Sequence, residues 1–141
     1  MLKETIEDRL KGVDKMGLDM WLIGVKTGYV DGKIEGVFEE LVYWRKANGI
    51  HGYFNRIVNG GVENLRMHHI SPSELENLKG ECEKALEKED PSELMPLEQG
   101  LYFGNADYYE YDLEMLKFTA KRIGEILETT DYDFFLYMAY W

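Results

Sequence analysis

The sequence predicts an α+β domain, a short mixed or antiparallel sheet packed against about three helices. Three observations carry that prediction. Met20, Leu22, Gly24 and Lys26 alternate with Trp21, Ile23 and Val25, and residues 132–141, YDFFLYMAYW, run almost unbroken through aromatic and aliphatic side chains; both read as buried strands. Three other stretches repeat apolar residues every three or four positions, as amphipathic helices do. The 141 residues contain no internal repeat, low-complexity tract or linker, so one domain with the order β(β)α–β–α–β–α–β accounts for residues 16–141.

Residues 1–15 carry Leu2, Ile6, Leu10 and Val13 at helical spacing. A second reading fits them equally. Lys11 to Lys15 can be encoded by a purine-rich stretch resembling a bacterial ribosome-binding sequence just upstream of Met16, which makes 1–15 a candidate start-site extension. After the first strand, Asp31-Gly32 signals a tight turn, and residues 33–38 return as a short second strand or lead into a helix.

The main helix is expected over 41–58, where Val42, Trp44, Ala47, Ile50, Phe54, Ile57 and Val58 form one apolar stripe. Gly49 and Gly52 lie inside it, each costing about 1 kcal/mol relative to Ala in a helix interior. Close approach of another backbone or of a ligand would offset that cost. Gly60-Gly61 closes the helix. Residues 65–70 alternate as a half-exposed strand, and Ser71-Pro72-Ser73-Glu74 starts a second helix, 72 to about 88, by a capping box with Pro at the first helical position. Its narrow stripe is Leu75, Leu78, Cys82, Ala85 and Leu86, so Cys82 reads as inert packing. Asp90-Pro91 ends that helix, residues 100–104 read as a short aromatic strand, and a third helix spans about 109–128. The aromatic terminus would be sticky if exposed, which places it inside the sheet beside the Met20 strand.

Composition bounds the function. Twenty-seven acids against 16 Lys and Arg give a net charge of -11, with no gathered basic run, so direct nucleic-acid binding is not expected. Such a surface suits a partner with a basic face, including one that a nucleic-acid mimic would engage, as well as simple solubility. No apolar run approaches the ~20 residues of a membrane span, the N-terminus lacks a signal-peptide core, and the lone Cys82 fits a cytosolic setting. Histidines are three, His68 and His69 point to opposite faces of a strand, and no metal-ligand or cofactor motif occurs, so neither metal nor cofactor is expected.

Two constellations remain. Arg45, Asn48 and His51 follow one another at i,i+3 and would align a guanidinium, an amide and an imidazole on one helical ridge, thinned by Gly49 and Gly52. Such a ridge suits a small anionic metabolite or nucleotide; a hydrolase with His51 as base and Arg45 as anion clamp is a weaker use of it. The opposing reading gives each residue an internal structural partner. The second constellation, Asp107, Tyr108, Tyr109, Glu110, Tyr111 and Asp112, is either an acidic, aromatic partner-contact patch or a helix start with its acids set against the dipole.

Met16-Gly17-Leu18-Asp19-Met20-Trp21-Leu22, Tyr43-Trp44-Arg45-Lys46-Ala47-Asn48-Gly49-Ile50-His51, Gly100-Leu101-Tyr102-Phe103-Gly104-Asn105, Tyr108-Tyr109 and the closing strand ending in Trp141 together resemble a group of small tailed-phage and prophage proteins that begin with an MGLDMYL-like segment. WRKAN-x-IH is the most specific piece. This chain departs from the group in a shorter link between first strand and main helix and in Gly49. The resemblance implies a phage origin and a start at Met16, and supplies no activity or site residues. The expectation is a non-enzymatic acidic protein of the bacterial host cytosol that binds a host protein in host takeover or counter-defence.

Overall fold

The computed structural model of the protein describes residues 17–98, 107–129 and 131–141. The expectations for residues 1–15 and for a strand at 100–104 lie outside the described residues. A four-stranded sheet and three helices make up the described chain, an α+β architecture. Every strand pairing in the sheet is antiparallel.

Strands β1 (Asp19–Val30) and β2 (Lys33–Arg45) form a long hairpin. Its turn is Asp31-Gly32, both at positive φ (51° and 77°), the backbone of a type I′ two-residue turn whose twist matches that of the strands. The register slips once: Leu22 faces Val42 while Ile23 faces Glu40, leaving Leu41 as the extra residue of a bulge. The bulge sets neighbouring Leu41 and Val42 both into the helix-side core.

The helix expected over 41–58 is corrected here. Residues 41–45 are strand, Lys46 turns the chain at φ 52°, and helix α1 covers only Asn48–Ile57. Lys46 holds this left-handed corner while its N–H donates to the Leu18 carbonyl at 2.7 Å, a long-range bond that local sequence does not announce. Helix α1 is buried from Asn48 through Phe54. Its Phe54 stacks on Tyr137 with ring centroids 3.8 Å apart, so the helix sits directly on the last strand. Gly60 and Gly61 follow at φ 82° and 85°, and the Asn55 side chain accepts from Val62 N–H at 2.8 Å.

Short strand β3 (His68–Ile70) leads to helix α2 (Pro72–Leu86), which starts with the expected capping box: Ser71 Oγ accepts from Glu74 N–H at 3.2 Å and Glu74 Oε1 from Ser71 N–H at 2.9 Å. A 3₁₀ turn at Pro91–Glu93 and helix α3 (Glu110–Glu128) complete the helical layer. Leu75, Leu78, Cys82 and Ala85 of α2 and Leu116, Ala120, Ile123 and Ile126 of α3 belong to one core with the sheet's Met20, Leu22, Trp44, Phe135 and Tyr137. Trp44 Nε1 donates to Thr119 Oγ1 at 2.8 Å and Arg122 Nε to the Leu41 carbonyl at 3.1 Å, fastening α3 to β2. Burial pushes the Cys82 thiol up to about 12, which keeps it protonated and unreactive.

Strand β4 (Phe134–Tyr140) lies between β1 and β3, giving the order β2-β1-β4-β3. The aromatic terminus is therefore an interior strand, beside the Met20 strand as its composition required.

Candidate functional site

Arg45 stands at the end of β2, opposite Asp19 at the start of β1. Its Nη1 lies 2.9 Å from each Asp19 carboxylate oxygen, and Tyr43 donates its hydroxyl to Oδ1 of the same carboxylate. Asp19 is wholly buried, and Arg45 and Tyr43 both supply donors to its carboxylate. Burial and the Asp19 carboxylate together push the Tyr43 phenol up to about 12, and the hydrogen bond to Asp19 raises the Arg45 guanidinium above its already high value. The guanidinium also packs against Gly17: a Cβ there would fall 2.6 Å from Nη2.

Asn48 opens α1 and is buried. Its Nδ2 donates to the Glu98 carbonyl at 2.8 Å while its Oδ1 accepts from Glu98 N–H, so one side-chain amide takes both backbone groups of residue 98 as a neighbouring strand would. Asn55 Nδ2 reaches Glu98 Oε1 at 3.2 Å. The two helix glycines explain themselves on this side. A Cβ on Gly52 would lie 2.9 Å from the Pro96 carbonyl, and one on Gly49 would strike the Tyr108 hydroxyl and come within 3.4 Å of the Met95 carbonyl. The partner that approaches the thinned ridge is the backbone of residues 95–98.

His51 is buried, its Nδ1 sharing a 2.8 Å hydrogen bond with the Tyr137 hydroxyl and its ring edge-on to Trp141 at 5.4 Å. Burial pushes the imidazole down to about 4, so it is neutral near pH 7. Arg45, Asn48 and His51 thus do not share a ridge. Arg45 turns to β1, Asn48 to residues 95–98 and His51 to β4. Shallow depressions of the surface run along α2, one lined by Ser73, Asn77, Glu81 and Lys84, another by Glu76, Lys79, Glu83 and Gly124, away from all three residues. Among the described residues no three His, Cys, Asp or Glu side chains gather as metal ligands.

The second constellation is the start of α3. Asp112 Oδ2 accepts from Tyr109 N–H at 2.9 Å, an acid satisfying an orphan donor at a helix N-terminus. Tyr108 turns inward and donates to the Met95 carbonyl, and Tyr111 donates to the Arg45 carbonyl. Asp107, Glu110 and the ring of Tyr111 remain on the surface.

Sequence reasoning missed a third surface. Strand β4 pairs with β1 only from Asp19 to Val25, whereas the β1–β2 hairpin continues to the Asp31-Gly32 turn. Beyond Val25 the hairpin is a two-stranded ribbon. Its root is pinned: Thr27 N–H and Oγ1 donate to Asp133 Oδ2 at 2.6 and 2.7 Å, and Tyr132 donates to Glu39 Oε2 at 2.7 Å. On the sheet's outermost strand Ile34, past that root, and Val37 and Phe38, beside it, are 69, 48 and 46 % exposed. The signal lay in the lengths, a hairpin of 12 and 13 residues against a closing strand of seven.

Comparison of the chain with protein-family models, with curated proteins and with solved structures gave no match.

Proposed function

We propose that this is a non-enzymatic protein of phage origin that acts in the bacterial cytosol by binding a host protein, in host takeover or counter-defence, with the projecting β1–β2 ribbon as its contact. The observation that carries the reading is the exposure of Ile34 and Val37 on the ribbon and of Phe38 at its base, all on an edge strand. Soluble proteins protect edges of this kind, and an isolated two-stranded ribbon is marginal in water, so an apolar one is best accounted for by a partner that covers it. The net charge of -11, with Glu35 on the ribbon, favours a partner with basic side chains beside its apolar contact.

The test compares the wild-type chain with Ile34→Glu/Phe38→Glu as bait in host lysate, then with the captured protein purified. Exposed positions tolerate the change, so melting temperatures should agree within a few degrees while capture falls at least tenfold. Equal affinity of both baits for the purified partner removes the ribbon from the reading.

The small-anion reading keeps one observation, the partial exposure of the Arg45 side chain, 34 %, at the sheet's end. A nucleotide or anion that stabilises the wild type and not Arg45→Lys would revive it.

A further inference from the structure

Strand β2 ends the sheet, and its two halves meet solvent differently. Over residues 41–45 helix α3 closes the edge, with Arg122 Nε donating to the Leu41 carbonyl at 3.1 Å and Tyr111 to the Arg45 carbonyl. From Lys33 to Phe38 every residue is exposed, and among the described residues no further strand pairs along that side. The two-residue turn fixes which backbone groups face outward. Val30 and Lys33 close it and exchange hydrogen bonds across the hairpin, and bonded and non-bonded pairs alternate from there. Lys33, Glu35, Val37 and Glu39 therefore bond to β1, while Ile34, Gly36 and Phe38 turn their N–H and C=O groups to the open edge. An edge of this kind is a template for one more strand.

We propose that the strand it takes is residues 33–39 of a second copy, antiparallel, about a two-fold axis at Gly36. Residues directly opposed in an antiparallel pair are both edge-facing or both not, so the axis falls on a residue and not between two. With Gly36 on the axis, Ile34 of each copy meets Phe38 of the other, Glu35 meets Val37, and Lys33 meets Glu39. The register sets apolar against apolar and ammonium against carboxylate, twice each. One residue nearer the turn, the axis would set Glu35 against its own copy; one residue farther, it would set Glu35 against Glu39. Nothing within the chain requires glycine at position 36, where a Cβ would meet Phe38 at 3.8 Å and Val25 at 4.0 Å, both ordinary contacts. A glycine inside a strand weakens it and often marks the approach of another backbone. The pairing gives the ribbon four strands where alone it has two, and joins the sheets in the order β3-β4-β1-β2-β2-β1-β4-β3. It uses the ribbon's rim and leaves the face that carries Ile34 and Phe38 to the host partner proposed above, so neither contact depends on the other.

Sedimentation equilibrium of the full chain over a wide concentration range tests this. The salt is physiological, so that repulsion between two chains of net charge -11 is screened beyond about 8 Å. The average mass should rise from that of one chain toward that of two. Gly36→Pro removes an edge-facing N–H on the axis and no bond to β1, a change that edge strands tolerate. It should keep the wild-type melting temperature and stay monomeric over the same range. A wild type that stays monomeric throughout, or a Gly36→Pro chain that dimerises as tightly, overturns the inference. If Gly36→Pro melts early, charge reversal decides. Lys33→Glu and Glu39→Lys each set like charges together twice, and each should dimerise roughly tenfold more weakly. An equimolar mixture of the two turns both contacts back into opposite charges and should recover the wild-type dissociation constant. A mixture no tighter than either variant alone overturns the register and the inference with it. Capture of a host protein by the Gly36→Pro bait, which keeps Ile34 and Phe38, reports on the proposed function separately.

Discussion

At His51 a single side chain links burial to pH. The imidazole takes its proton near pH 6.5 in the unfolded chain and only at about 4 in the folded one. Between those values the unfolded state binds more protons, so stability rises with pH through this window; His51's contribution is complete above 6.5 and is lost as pH falls toward 4. The size of the effect is on the order of 3 kcal/mol. His51→Gln, which can still meet the Tyr137 hydroxyl, is expected to flatten the pH dependence of urea midpoints across that range, and a slope identical to wild type would assign the effect to other groups. Asn48 governs a different contact. Replacing it with Ala strips both backbone partners from residue 98 and should cost about 1–3 kcal/mol. The amide of Glu98 should then exchange with deuterium well before global unfolding, which separates a released segment from a weakened core.

The helices answer the question their glycines raise. Ala at Gly52 gains about 1 kcal/mol of helix propensity, yet its Cβ would press on the Pro96 carbonyl, a backbone atom that cannot swing aside. Gly52→Ala should therefore lower stability, by about 1–3 kcal/mol net, and Gly49→Ala should do the same against Tyr108 and Met95. Gly80, mid-way along α2, has open space where its Cβ would go, so Gly80→Ala should raise stability by about 0.5–1 kcal/mol. Opposite signs in thermal melts are the outcome expected. The glycines were also where the sequence was most informative. Their cost said that something approaches α1, but that it is residues 95–98 depends on contacts some 45 positions away in the chain. The boundary of α1 was hidden for a related reason: Val42 and Trp44 share a strand face at spacing two, then Ala47, Ile50 and Phe54 continue at three and four, and the merged pattern imitates one helix. The break between them, Lys46 at positive φ, carries no Gly, Asn or Pro to mark it. By contrast the capping box of α2, the Asp31-Gly32 turn and the aromatic strand were legible, because each is encoded within a few consecutive residues.

On the scale of the whole molecule, the α+β class followed from patterning, whereas the exposed surfaces did not. The ribbon's exposure is a property of how little of β1 is matched by β4, and no local pattern in 26–38 records that. Arg45, Asn48 and His51 looked like neighbours in one dimension and face three ways in three. The sheet order β2-β1-β4-β3 has a consequence for synthesis. Within the sheet the β1–β2 hairpin and β3 are joined only through β4, so a ribosome that has made the first 130 residues has made two sides of a seam without its thread. A premature stop codon before Phe134 would not trim the fold at its rim but divide it, leaving Trp21, Tyr137's stacking partner Phe54 and the lone hairpin exposed to proteases and to other nascent chains.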